Sequence, residues 1–93
     1  MYKQGDHIAF MTKQPQVHLN EMFGYHNLTE DDFEESEYKG IILNVFFNKV
    51  YLVKTVCPLD GFICVVGEED ILRLVGISEL NEDRKAEREG YNN

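Results

Sequence analysis

Ile8 and Phe10 alternate with His7, Ala9 and Met11 behind the turn signal Gly5-Asp6, a period-two pattern that predicts a first strand over residues 5–11. Residues 12–27 hold Pro15, Gly24, two Asn, two Gln and one Thr without a sustained apolar period, and they read as a long loop. Next comes the clearest local signal. Thr29 fits an N-cap, Asp32 stands at N3, and Leu28 and Phe33 occupy the two ends of a hydrophobic staple. A short helix is therefore predicted near residues 30–38, with Gly40 just past its end.

Residues 41–66 are dense in β-branched and aromatic side chains, broken by Asn48-Lys49 and by Pro58-Leu59-Asp60-Gly61, which predicts three strands joined by two hairpins. If Asn48-Lys49 is a two-residue turn, Phe47 pairs with Val50, and Phe46 with Tyr51. One face then carries Ile41, Leu43, Val45, Phe47, Val50, Leu52 and Val56 with Lys54 as its one polar member, and this is the expected core face. Phe46 and Tyr51 fall on the opposite face as an aromatic pair, either an interface or covered by the loop or helix. The second turn, Asp60-Gly61, would set Cys57 opposite Cys64. Residues 67–70 read as a tight turn before a last strand over residues 71–75, and residues 78–93 as a charged C-terminal helix or tail.

Ninety-three residues suit one domain, and a hydrophobic fraction of 43% is too high for a disordered chain. Seventeen acidic against nine basic residues leave a net charge of -8, which disfavours direct binding to nucleic acid or to anionic lipid. No apolar run approaches the roughly 18–20 residues of a membrane span, and the first residues lead into no signal core, so the expectation is a soluble cytoplasmic protein. In that compartment Cys57 and Cys64 should be reduced, packed thiols. His7, His18 and His26 show no metal-ligand spacing, no nucleophile stands in a recognisable catalytic setting, and no cofactor motif is present; a non-enzymatic role is expected.

Gly5-Asp6-His7-Ile8-Ala9-Phe10, Tyr38-Lys39-Gly40-Ile41-Ile42, Tyr51-Leu52-Val53 and Glu68-Glu69-Asp70-Ile71-Leu72 together resemble a small SH3-like barrel of the Tudor or KOW type. The resemblance implies a mainly β, five-stranded barrel over residues 1–77 with a long inserted loop and a short acidic helix at about 12–39, followed by the tail at 78–93. Members of such families bind peptides, modified side chains or nucleic acids through loops at one barrel end. Small acidic domains of this kind also resemble bacteriophage host-takeover proteins, some of which mimic DNA; the host cytoplasm is the implied location if the chain is phage-encoded.

Glu30, Asp31, Asp32, Glu34, Glu35 and Glu37 place six carboxylates in eight positions. On a helix, neighbours three or four apart stand about 5–6 Å from one another, a scale comparable to successive phosphates along a nucleic-acid strand. That ridge, extended by Glu68, Glu69 and Asp70 if the fold brings them near, suits a basic protein partner, notably a nucleic-acid-binding protein such as nucleoid protein HU or RNA polymerase. The plain alternative is a solvated acidic face. A second reading is an SH3-like interaction or assembly domain using Phe46 and Tyr51, with a homodimer as one form of it; a third is a nucleic-acid-binding barrel with a local basic spot at Lys3, Lys13 and Lys39.

Overall fold

The computed structural model describes residues 1–24 and 28–80. Its elements are β1 (His7–Thr12), α1 (Gln14–Phe23), a 3-10 turn at Glu30–Asp32, β2 (Ser36–Phe46), β3 (Val50–Cys57), β4 (Ile63–Gly67), a second 3-10 turn at Glu68–Asp70 and β5 (Ile71–Leu74). The five strands form one antiparallel sheet in the order β4-β3-β2-β1-β5. The chain is thus mainly β, with β4 and β5 as the two edges. The predicted C-terminal segment lies outside the described residues from position 81 onward.

Residues 14–23 are helical where a loop is expected. The helix is defined by its ends. Pro15 sits in the first turn, the Gln14 N–H donates to Thr12 Oγ1 at 3.1 Å, and Gly24 closes the helix in the left-handed region at φ 71°. Pro15 is the one fully buried residue of α1, which explains why no apolar stripe announces the helix.

The acidic helix, in turn, shrinks to a single 3-10 turn. The Asp32 carboxylate accepts the Thr29 N–H at 2.6 Å and the Thr29 hydroxyl at 3.3 Å, so the predicted cap forms, but Phe33 is already extended at φ -109°, ψ 140°. Continuing the helix would stack Glu30 on Glu34 and Asp31 on Glu35, each repulsive at that spacing. Pairing of Ser36 with Thr12 instead gives the backbone a ladder. Gly40 therefore lies within β2 and ends no helix. A Cβ there would collide with the Lys54 carbonyl oxygen and stand 2.9 Å from Val53 Cγ1, at the point where the register with β3 shifts.

The β2–β3 turn is displaced by one residue from Asn48-Lys49. Phe47 and Asn48 hold φ 54° and 60°, and the Lys49 N–H donates to the Phe46 carbonyl at 3.2 Å. Phe46 consequently pairs with Val50 and Val45 with Tyr51. On β3 the buried side chains are therefore Tyr51 and Val53, the face opposite the expected one, while Val45 on β2 still packs against the inner core beside Tyr51, with a register shift between Ile42 and Asn44. The inner core is Ile8, Phe10, Tyr38, Ile42, Tyr51, Val53, Cys64, Val66 and Ile71, whereas Leu43 and Phe47 of the expected core face are exposed.

Gln14, two residues beyond β1, hydrogen-bonds Val65 of β4. In a flat sheet three strand spacings would hold β1 about 14 Å from β4. The sheet therefore curls around the inner core, although no ladder joins β4 to β5.

A second cluster, Ala9, Val56, Cys57, Val75 and Leu80 with Ile41 against it, covers the outer face. Ala9 stands between Arg73 and Lys39 in one cross-strand row. Its small side chain leaves space into which Glu79 reaches. Arg73 holds that carboxylate with two bonds, at 2.7 and 3.0 Å, and Lys39 Nζ lies 3.2 Å from it. The Arg73 bonds first and the Lys39 bond second pull the Glu79 carboxyl down to about 2.

Two outcomes follow from this packing. Gly40→Ala should destabilise the fold by roughly 1–3 kcal/mol, since the obstructing atom is backbone and cannot rotate away; urea denaturation checks it, and an unchanged midpoint refutes the close approach. Glu79 is held ionised in the folded chain, so its contribution is complete above the ordinary 4.5 and is lost as pH falls toward about 2. Wild type should exceed Glu79→Gln in denaturation midpoint near neutral pH, and that gap should close across this window.

Candidate functional site

The predicted site residues disperse over several elements. Glu30, Asp31 and Asp32 are exposed on the first 3-10 turn, Glu34 and Glu35 on the connection into β2, and Glu37 within β2. Glu68 and Glu69 are exposed and Asp70 half-buried on the second turn, where the Glu68 N–H donates to the Lys49 carbonyl at 2.9 Å. Since Ser36 pairs with Thr12 and Ile71 with Phe10, both acidic turns feed strands that flank the C-terminal half of β1. The helical ridge itself is absent: beyond Asp32 the acids follow an extended backbone.

Phe46 and Tyr51 do not form an exposed pair. Tyr51 is fully buried, its ring edge-on to Tyr2 at 6.0 Å and its hydroxyl accepting the Tyr2 N–H at 3.4 Å. Phe46 is 43% exposed at the hairpin end beside Phe47, which is 93% exposed. Ile63 and Val65 on β4 are also exposed, and Val65 is in register with Leu52. An apolar outer surface does exist, then: Phe46 lies outside as the predicted register had it, whereas Phe47, expected in the core, is exposed with it.

A concave site forms elsewhere. An open cleft of about 640 Å³ lies between α1 and the β3–β4 loop. Pro15 and Val17 line the α1 wall, and Phe62 and Ile63 the opposite one; His18 packs edge-on to Phe62 with ring centres 5.8 Å apart. Three carboxylates border it: Glu21 from α1, Glu30 from the first 3-10 turn and Asp60 from the loop.

Thr55 sets the loop. Its N–H donates to the Phe62 carbonyl at 2.8 Å, its carbonyl accepts the Gly61 N–H at 2.9 Å, and its hydroxyl accepts the Phe62 N–H at 2.9 Å. Thr55 is wholly buried, and these bonds satisfy its polar groups while aiming Phe62 at His18. Gly61 turns the chain at φ 92°. The loop is longer than the predicted two-residue turn, so Val53 pairs with Cys64 and Lys39 with Cys57. The two thiols do not face one another, and both are buried and unbridged. Burial pushes the Cys64 thiol up to about 11, which keeps it protonated and unreactive at neutral pH.

Only Glu30 of the cleft was singled out from sequence. Gln14, His18 and Glu21 were missed because α1 was read as a loop, although Pro15 and Gly24, spaced as a helix start and stop, were an available signal; Asp60 and Phe62 were missed because the β3–β4 loop was read as a two-residue turn. Among the described residues no group of three or more metal-ligating side chains gathers, and no helix is long and apolar enough to cross a membrane. Carboxylates around an aromatic floor instead suit an organic cation, above all an Arg or Lys side chain. The chain matches no protein-family model, no curated protein and no solved structure.

Burial separates the two aromatics that had been paired. Tyr51→Ala should cost about 3–5 kcal/mol, in the range of large core truncations, whereas Phe46→Ser should leave a folded monomer with nearly the wild-type midpoint. Thermal or urea unfolding of both variants decides the face assignment, and equal losses would contradict it.

Proposed function

We propose that this chain is a non-enzymatic protein-binding module of SH3-like barrel architecture that engages a basic partner, the chemistry of a nucleic-acid-binding protein. The convergence of Glu21, Glu30 and Asp60 on a cleft floored by His18 and Phe62 carries this reading. The curled sheet with β5 beside β1, and the 3-10 turn leading into β5, support the architecture. The net charge of -8 supports the sign of the partner, since a basic surface would be drawn by the field before any contact forms.

Mimicry of DNA is the form this binding takes if the partner offers its phosphate-reading surface. The acids on the first 3-10 turn and the extended run after it would then stand where phosphates otherwise lie. A second reading is favoured by one observation, the exposed Phe46, Phe47, Ile63 and Val65, which suit self-association through the outer face.

Immobilised protein exposed to a bacterial lysate should retain a basic nucleic-acid-binding protein at low salt and release it as salt rises, because screening shortens the reach of exposed charges to about 8 Å at physiological ionic strength. Labelled duplex DNA should then compete with this chain for the retained protein. A ternary complex would remove mimicry, and retention indifferent to salt would remove the electrostatic mechanism. Concentration-dependent dimerisation abolished by Phe47→Ser would favour the self-association reading instead.

A further inference from the structure

Gln14 meets β4 in an unusual way. Its side-chain Nε2 donates to the Val65 carbonyl at 2.6 Å, and its Oε1 accepts the Val65 N–H at 2.9 Å. That is the pair of bonds one residue of an antiparallel strand exchanges with its opposite number. A carboxamide is chemically a peptide group, and here it occupies the place of one at a sheet edge that, among the described residues, has no further strand beside it.

The neighbouring ladder position points into the cleft. Hydrogen-bonding direction alternates along a strand, so Ile63 aims its N–H and C=O to the same side as Val65. Ile63 lines the cleft, as does Gln14 at the adjacent position on the edge. The cleft therefore combines a backbone donor and acceptor on one wall with the half-buried apolar side chain of Val17 on the other. The carboxylates of Glu21, Glu30 and Asp60 border the same cleft.

We propose that the cleft binds an extended peptide carrying basic side chains, which adds to the β4 edge at Ile63, displaces the Gln14 carboxamide from Val65, and places an Arg or Lys against Phe62 within reach of Glu21, Glu30 and Asp60. This rests on the basic-partner reading above and gives it a site and a mode. Main-chain pairing supplies affinity that is indifferent to sequence. The acids select positive side chains, and the alternation of a strand sends every second residue toward them. An acidic or nucleic-acid ligand would meet three carboxylates and is disfavoured by charge alone.

The probe is a fluorescein-labelled octapeptide of alternating Arg and Val, titrated into the full chain and followed by anisotropy and by backbone amide resonances. Binding should shift the Ile63 and Val65 amides. A version of the peptide N-methylated at alternate residues should bind at least about tenfold more weakly to the wild-type chain, because it cannot complete the ladder. Glu21→Gln combined with Asp60→Asn should also weaken binding by about tenfold, whereas Glu34→Gln combined with Glu35→Gln, outside the cleft, should change it by less than about twofold. Equal binding of the N-methylated peptide overturns strand addition, and equal loss in the two double variants overturns the cleft as the site. Failure of the octapeptide to bind overturns this proposal as a whole. Salt-sensitive retention of a basic protein would still uphold the broader reading, so the two failures are distinguishable. The N-methylated comparison uses the wild-type chain throughout and stays decisive even if a variant fails to fold.

Discussion

Everything in this fold is arranged around β1, which is buried on both of its faces. Ile8, Ala9 and Phe10 are each wholly inaccessible, so the strand has no solvent side, although the sheet is antiparallel and small. Two separate covers are therefore required. The curl of the sheet brings β3 and β4 over Ile8 and Phe10, and the C-terminal turn at residues 77–80 brings Leu80 over Ala9. Glu79, bound to both Arg73 and Lys39, the two cross-strand neighbours of Ala9, anchors that outer cover. The same curl brings the end of β1 back to β4, and this is what allows Gln14 to reach Val65. The cleft walls are thus a by-product of core closure: one wall is the helix that follows β1, the other the loop that precedes β4.

That origin also explains where the acids sit. A continuous helix over residues 30–37 would have carried them as a ridge, at the cost of several repulsive pairs. Entry into β2 relieves the repulsion by spreading the run along an extended backbone, and it leaves Glu30 on the turn nearest the cleft. Glu21 and Asp60 arrive from elements that are distant in sequence. The local charge density of the cleft is consequently a tertiary property, whereas the run itself is a property of the primary sequence.

The strands, their order of appearance, the capping box at Thr29 and the turn at residues 67–70 were legible from residues, because such signals act locally, but the helix expected over residues 30–38 stops after one 3-10 turn. Two further departures have physical causes. The first is α1, a surface helix that buries only Pro15 and so lacks the apolar period by which helices are read. The second is the face assignment. Asn48 adopts positive φ as the sequence suggests, but its partner in the turn is Phe47 on its other side, a bulky residue at φ 54°. A positive φ at Phe was not inferable from propensity; the burial of Tyr51 and Val53 selects the register that demands it, and turn chemistry yields to core formation. The cleft depended on both points, since one wall is the unrecognised helix and the other follows from the β3–β4 register, so most of its residues were beyond the reach of local patterns.

Electrostatics then divides recognition into two ranges. Of nine basic residues, Lys39 and Arg73 are committed to Glu79 within the outer cover, so part of the scarce positive charge is spent on holding the chain together. An electrostatic field acts over roughly a Debye length and is blind to sequence, whereas a hydrogen-bond edge beside an aromatic floor acts only at contact. A chain with the field alone would gather any polycation, and one with the edge alone would invite any exposed strand, including its own copies. Gln14 occupies the edge at Val65, which blunts the second hazard. In the binding mode proposed above, the acids would counter the first by admitting cations only where the cleft also engages their backbone, and selectivity would arise from the two features meeting at Ile63.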